Sequence, residues 1–147
     1  ATNAAIVVVF VLTSLLIGPF KVAAIYFPAM FLAGAFGVWL FYVQHQFEDA
    51  YWERHDRWDY ADAALRGSSH LQLPRPLRWF AASIGLHHVH HVAPRIPNYR
   101  LQQCQDANAV FQNAPTVTLR SGMAAFRLTL WDEDQQRLVR FRDVTIT

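Results

Sequence analysis

Residues 22–43 read VAAIYFPAMFLAGAFGVWLFYV and contain no charged side chain. A helix of these 22 residues is about 33 Å long at about 1.5 Å per residue, which matches a hydrocarbon core about 30 Å thick. The run therefore predicts a helix that crosses a membrane. A buried helix of a soluble protein is the alternative interpretation of such a run.

A second apolar run precedes this one. Residues 4–17 are also uncharged, but 14 residues are fewer than the roughly 20 that a spanning helix needs. Gly18 and Pro19 interrupt the pattern, and Lys21 adds a charge to the short turn. We expect two apolar helices in a membrane hairpin, with the start of the first helix missing. A signal peptide is the alternative, although no basic segment precedes the run.

Charged side chains are concentrated after residue 44. Residues 1–44 carry only Lys21, whereas residues 63–105 carry five arginines and no acidic residue. The positive-inside rule therefore places residues 45–105 in the cytoplasm. The net charge of +2 is too small to indicate a nucleic-acid surface, and a single cysteine, Cys104, excludes an internal disulfide. We predict a transmembrane hairpin over residues 1–44 and a cytoplasmic region over residues 45–147.

The cytoplasmic region contains further short elements. Prolines before and after residues 77–91 predict a helix over that range. A short helix is predicted within residues 118–128, and apolar segments at 128–131 and 138–141 flank a polar turn, which predicts a hairpin. The predicted fold class is mainly α: a membrane helical hairpin followed by a helical cytoplasmic cap with a small C-terminal β-hairpin.

Four histidines fall within residues 87–91, which read HHVHH. On a helix His87, His90 and His91 lie at positions i, i+3 and i+4 and share one face, whereas His88 points about 100° away. Neutral imidazole binds iron, zinc, copper and nickel. The spacing therefore predicts a transition-metal site with these three histidines as ligands. A solvated histidine cluster is the alternative.

His45 is a further candidate ligand because it lies at the cytoplasmic end of the predicted spanning helix. An ionisable residue at that depth indicates a functional site. Glu48, three residues later, is placed to hydrogen-bond His45 and fix its tautomer. His55 lies among charged residues and His70 beside a Gly-Ser-Ser loop, so neither is expected to bind the metal.

Three stretches of the sequence carry a family resemblance. They are GVWLFYVQHQFEDAYW at 37–52, IGLHHVHH at 84–91 and PRIPNYRL at 94–101. Together they resemble the membrane fatty acid desaturases, and most of all the bacterial and plant omega-6 (delta-12) acyl-lipid branch. The resemblance implies a non-haem di-iron enzyme that uses dioxygen and two electrons to remove two hydrogens from an unactivated acyl chain.

In that family three histidine boxes hold two iron ions. The third box, of the form HxxHH, maps onto His87, His90 and His91, and an additional ligand at the end of a transmembrane helix maps onto His45. The first box, HxxxxH, and the second, HxxHH, have no counterpart in this sequence, so at most four of the family's ligands are present. We therefore expect a C-terminal fragment with an incomplete active site that is inactive alone.

Further expectations concern the neighbours of the site and the partners. We expect Glu48, His88 and Asn98 to lie beside the ligands or near the substrate, and His88 to tolerate replacement better than His90. The expected partners are a membrane lipid acyl chain, dioxygen and an electron donor, either ferredoxin or a b-type cytochrome, and no nucleic acid. The expected location is the bacterial inner membrane, with the histidines on the cytoplasmic side.

Two other functions fit the same residues. A related membrane di-iron oxygenase, such as a carotenoid ketolase or hydroxylase or an alkane hydroxylase, also carries histidine boxes. A non-enzymatic membrane protein that binds zinc needs only the histidines present here. The contexts QHQFE at 44–48 and PRIPNY at 94–99 favour the acyl-lipid desaturases over both.

Overall fold

A computed structural model describes residues 1–144 of the chain. Within that range the chain is mainly helical, with two pairs of short strands. It divides into two compact units, one from Ala1 to Trp39 and one that starts at Leu40. The functional division at residue 44, into a membrane hairpin and a cytoplasmic region, stays a prediction.

Two apolar helices begin the chain. Helix α1 covers Thr2–Ile17, and helix α2 covers Pro19–His45 and continues into the second unit. Gly18 between them has a φ of 94°, a left-handed conformation that glycine adopts without a steric cost. Pro19 follows at the first helical position, where its missing N–H removes no helical hydrogen bond.

Helix α2 contains the apolar run 22–43. Among the described residues it is the one helix long and apolar enough to cross a membrane, in agreement with the predicted span. Helix α1 contacts α2 through Phe10 and Tyr26, whose rings pack edge to face with centroids 5.7 Å apart. The arrangement of the two helices as a hairpin within a membrane stays a prediction.

The second unit follows the end of α2 with short elements. Its remaining helices are α3 (Tyr60–Arg66), α4 (Arg75–Phe80), α5 (His87–Val92), α6 (Leu101–Ala107), α7 (Ala109–Gln112) and α8 (Leu119–Ala125). Its strands are β1 (His70–Gln72), β2 (Thr116–Thr118), β3 (Leu130–Asp132) and β4 (Arg137–Val139). Two single 3₁₀ turns cover Asn98–Arg100 and Phe141–Asp143.

The single helix predicted over residues 77–91 is wrong. The structure has two helices there, α4 and α5, separated by a turn. Ala82 and Ser83 in that turn have φ values of 49° and 58°, and this left-handed conformation ends a right-handed helix. After the turn the Gly85 carbonyl accepts a hydrogen bond of 2.8 Å from the Leu71 N–H, so the chain pairs with β1 before α5 begins.

Strand β1 fixes the chain just ahead of α5. It pairs in parallel with β2, with Leu71 opposite Val117 and both buried. A Cβ atom on Gly85 would lie 2.5 Å from the Leu71 carbonyl oxygen, so only glycine allows this close approach. The start of α5 is therefore held against β1 by a backbone contact.

The predicted helix near residue 119 and the predicted hairpin are both present. Thr118 caps α8 by accepting a hydrogen bond from the Ser121 N–H, and the Ser121 hydroxyl accepts one from the Thr118 N–H. Strands β3 and β4 pair antiparallel across a polar turn. The arrangement of the helices of this unit as a cytoplasmic cap stays a prediction.

The core of the second unit lies behind α5. It is formed by Leu86, Val89, Leu101 and Phe111, all buried. Val89 lies in α5 and Leu86 directly before it, whereas Leu101 lies in α6 and Phe111 in α7. One side of α5 therefore packs against α6 and α7, which leaves its other side to face the end of α2.

Candidate metal centre

Helix α5 places two histidines one turn apart on the same side. His87 is buried and His91 is half-buried. Their positions, i and i+4, lie above one another on a helix, and their ring centroids are 4.5 Å apart with the ring planes nearly perpendicular. The side chains therefore point into the same space beside α5.

His45, the last residue of α2, points into the same space. Its ring centroid lies 4.7 Å from that of His87 and 5.2 Å from that of His91. The Nε2 atoms of His45 and His91 are 3.1 Å apart. One ring nitrogen from each of the three side chains lies within 4.8 Å of the other two. We call His45, His87 and His91 the three-histidine cluster.

The orientation of His45 is set by its own helix. Its Nδ1–H donates a hydrogen bond of 2.9 Å to the Phe41 carbonyl oxygen one turn earlier. With the proton on Nδ1, the lone pair of Nε2 points toward His91 and is available to a metal ion. Metal-binding histidines usually donate their second ring nitrogen in this way, which fixes the tautomer and the ring plane.

His87 is the most enclosed member of the cluster. It is 8% exposed, and neither ring nitrogen has a hydrogen-bond partner. Burial lowers the pKa of His87 to about 3, and the neighbouring imidazoles, His45 first among them, reinforce the shift. Burial also lowers the pKa of His91, again with His45 as a contributor. Both rings are therefore neutral at pH 7, the form that binds metal.

His90 lies beside the cluster and is not a member of it. Its ring stacks on that of His87 with centroids 5.8 Å apart, and it lies 6.2 Å from the ring of His91. The side chain is half-buried. The structure thus brings together three of the four predicted ligands and places the fourth next to them.

Glu48 and Asn98 are engaged elsewhere. The Glu48 carboxylate accepts a hydrogen bond of 2.8 Å from Arg137, so the expected bond to His45 is replaced by that of the Phe41 carbonyl. The Asn98 side chain is exposed and accepts from the Tyr99 N–H. A role for either residue near the substrate stays a prediction.

His88 points into the core, away from the cluster. The side chain is fully buried, and its Nε2 lies 2.7 Å from the Gln105 Oε1. Burial lowers its pKa, partly offset by the bond to Gln105. The sequence spacing separated His88 from the other three histidines, and the structure places it on the opposite side of α5. The expectation that replacing His88 costs less than replacing His90 stays a prediction.

Two residues that hold α5 in place were missed by sequence reasoning. The Tyr60 hydroxyl, at the start of α3, donates a hydrogen bond of 2.8 Å to the His91 carbonyl. Gln105 on α6 is buried and bonds His88. Its position four residues after Leu101 places it on the apolar face of α6, and a polar residue on such a face was the available signal.

The side chains of the three-histidine cluster are suitable ligands for a transition metal. Three imidazoles suit iron, zinc, copper or nickel. Leaving both His87 ring nitrogens buried without a partner costs free energy that a coordinated ion would offset at one of them. The fixed His45 tautomer already directs its remaining nitrogen into the cluster. These three observations support a metal ion between α2 and α5.

Comparison with protein families gives a match over most of the chain. The profile described as "Fatty acid desaturase" matches residues 1–120. A "Fatty acid desaturase" of Bacillus subtilis (strain 168) is 41% identical over 143 residues, which is 97% of this chain and 41% of that protein. The chain therefore spans about two fifths of the length of this relative.

Shorter similarities extend to plants, and no solved structure matches the chain. An "Omega-6 fatty acid desaturase, chloroplastic" of Arabidopsis thaliana is 35% identical over 52 residues, 35% of this chain and 12% of that protein. One of Brassica napus with the same description is 38% identical over 47 residues, 32% of this chain and 11% of that protein. Because the family profile covers most of its residues, the chain belongs to the fatty acid desaturase family.

Proposed function

We propose that this chain is the C-terminal part of a membrane-bound di-iron desaturase that introduces a double bond into the acyl chain of a lipid. The observation that carries the proposal is the convergence of three ring nitrogens within 4.8 Å, from His45, His87 and His91. Membership of a metal-dependent family supports it. Within that proposal His90, stacked on His87, is the fourth iron ligand.

The chain's residues hold and orient the metal. A bound di-iron centre supplies the oxidising power that removes two hydrogens from an unactivated acyl chain with dioxygen and two electrons. The Phe41 carbonyl keeps His45 in the tautomer that leaves Nε2 free, and Tyr60 holds the His91 backbone. The burial of His87 excludes water from one side of the site, which limits reaction of the oxidant with solvent.

The ligands in this chain are part of a larger set in the proposed enzyme. The first two histidine boxes of the family have no counterpart in the sequence, and the Bacillus relative is more than twice as long as the matched segment. We place the remaining iron ligands outside residues 1–147. On this proposal the chain alone does not desaturate lipids, because a partial ligand set lacks the geometry that selects iron.

The proposed location is the bacterial inner membrane, with the histidines at its cytoplasmic surface. Helix α2 is long and apolar enough to span the bilayer and ends at His45. The five arginines and absence of acidic residues in 63–105 favour the cytoplasmic side. A site at this depth suits a substrate with its head at the interface and its tail in the bilayer, while ferredoxin or a b-type cytochrome delivers electrons from the cytoplasm.

The test uses the full-length protein in a bacterial host whose own desaturase gene is deleted. We expect a new double bond in the membrane fatty acids and close to two iron ions per purified chain. His87→Ala should abolish both, whereas His55→Ala should change neither, because His55 is exposed and lies outside the cluster. Gas chromatography with mass spectrometry locates the double bond and so tests the omega-6 assignment.

The same experiment separates the other two functions. Purified protein that holds zinc and forms no new double bond supports a non-enzymatic zinc-binding protein. A hydroxylated or ketolated product supports a related di-iron oxygenase. Desaturation that persists in His87→Ala contradicts the metal centre proposed here.

A further inference from the structure

His88 is buried on the opposite side of α5 from the three-histidine cluster. Its side chain has no exposed surface. Its Nε2 lies 2.7 Å from the Oε1 of Gln105, and Gln105 is itself 5% exposed. A hydrogen bond between two buried side chains thus links α5 to α6.

The direction of this hydrogen bond follows from a second contact. The Gln105 Nε2 donates a hydrogen bond of 3.1 Å to the Phe111 carbonyl oxygen. A carbonyl only accepts, so the amide nitrogen must face Phe111 and the amide oxygen must face His88. The Gln105 oxygen then requires a proton on the Nε2 of His88. The network is directional from His88 through Gln105 to the backbone of α7.

Helix α5 depends on such contacts for its orientation. It has six residues, and no side chain caps its first residue. A helix this short is not stable by itself. The apolar contacts of Leu86 and Val89 hold it against the core, but apolar contacts have little directional preference. A hydrogen bond of fixed geometry does constrain the rotation of the helix about its axis.

We propose that His88 and Gln105 are positioning residues that fix the rotation of α5, so that His87 and His91 face His45. The proposal rests on the proposed metal site, because it concerns the same cluster. A rotation of α5 would carry the nitrogens of His87 and His91 away from His45, which is held independently by α2. Loss of the bond should therefore change how the metal is held, in addition to any loss of stability.

The experiment uses the full-length protein, stripped of metal with a chelator and titrated with Co²⁺ alone. The visible absorption bands of cobalt report its coordination geometry, and their growth gives its affinity. His88→Leu removes the hydrogen-bond donor. We expect Co²⁺ binding about 10- to 100-fold weaker than in the wild type, the range found for partners that orient metal-binding histidines, with altered bands.

Two comparison variants separate positioning from stability. His88→Gln restores an N–H donor at a similar distance from the backbone and should recover the wild-type bands and most of the affinity. Val139→Ala removes buried methyl groups from β4, outside the core behind α5. It should lower the thermal midpoint while Co²⁺ affinity and bands stay unchanged. Gln105→Leu breaks the same bond from the other side and should reproduce the His88→Leu bands.

Each contrary result is distinct. Wild-type protein without cobalt bands contradicts the proposed metal site and this inference with it. Wild-type bands that persist unchanged in His88→Leu or Gln105→Leu contradict the positioning role alone. An equal loss of affinity in Val139→Ala also contradicts it, because the effect would then follow from general destabilisation.

Discussion

The buried histidines on the two sides of α5 differ in their hydrogen bonding. On the side facing α2, His87 is buried with neither ring nitrogen hydrogen-bonded. On the side facing α6, His88 is buried with its Nε2 bonded to Gln105 and only its Nδ1 without a partner. An unpaired buried polar atom costs free energy, so two of them in one ring support the metal site proposed above. On that proposal, His87 binds the metal and its neighbour His88 has a structural role.

This contrast predicts different consequences for substitutions on the two sides. Changes on the side facing α2 should remove metal and activity while the protein stays folded, because these side chains contribute little to the core. Changes at the packed side should lower stability first. The predictions below run from a complete loss of activity to a small loss of stability.

The largest effect is expected for His90→Ala in the full-length protein. Desaturation should fall below detection while the protein level is retained, because His90 is a proposed iron ligand and is only half-buried. Fatty-acid profiling and immunoblotting of the same cells measure the two quantities. His55→Ala, an exposed histidine outside the cluster, is the matched control.

The outcome at His90 also tests the extent of the ligand set. Its ring lies 5.8 Å from that of His87, outside the three-histidine cluster. Activity that survives His90→Ala but not His87→Ala would restrict the ligands in this chain to the three residues that converge. The HxxHH spacing would then include a histidine that only stacks on a ligand.

Much of the fold could be predicted from local sequence. The span in α2, the break at Gly18 and the β3–β4 hairpin each follow from patterns within a few residues of one another. The turn that separates α4 from α5 could not be predicted in this way, because Ala82 and Ser83 adopt left-handed conformations that their residue types do not favour. The parallel pair of β1 and β2 also escaped prediction, since its strands are distant in the chain.

The same limit applies to the candidate site. The spacing of His87 and His91 and the position of His45 sufficed to nominate residues that converge in the structure. The groups that orient them could not be nominated. A backbone carbonyl, that of Phe41, has no sequence signature, and Gln105 meets His88 only through tertiary packing.

An intermediate effect is expected for Gly85→Ala, at the junction of β1 and α5. The added Cβ would lie 2.5 Å from the Leu71 carbonyl oxygen, so the backbone must shift, at a cost of about 1–3 kcal/mol. A lower thermal midpoint of the purified protein measures it. Gly37→Ala is the control, because its Cβ meets no atom within 4 Å. Equal midpoints for the two variants would contradict the close contact.

The smallest effect is expected for Glu48→Gln, which tests what orients His45. The Glu48–Arg137 ion pair is 2.8 Å long, with side chains 57% and 42% exposed, and exposed pairs contribute about 0.2–1 kcal/mol. Because the Phe41 carbonyl already holds His45, Co²⁺ affinity should be unchanged, and Arg137→Gln should lower the thermal midpoint equally. A ten-fold loss of affinity in Glu48→Gln alone would show that the carboxylate leaves Arg137 for His45 when metal binds.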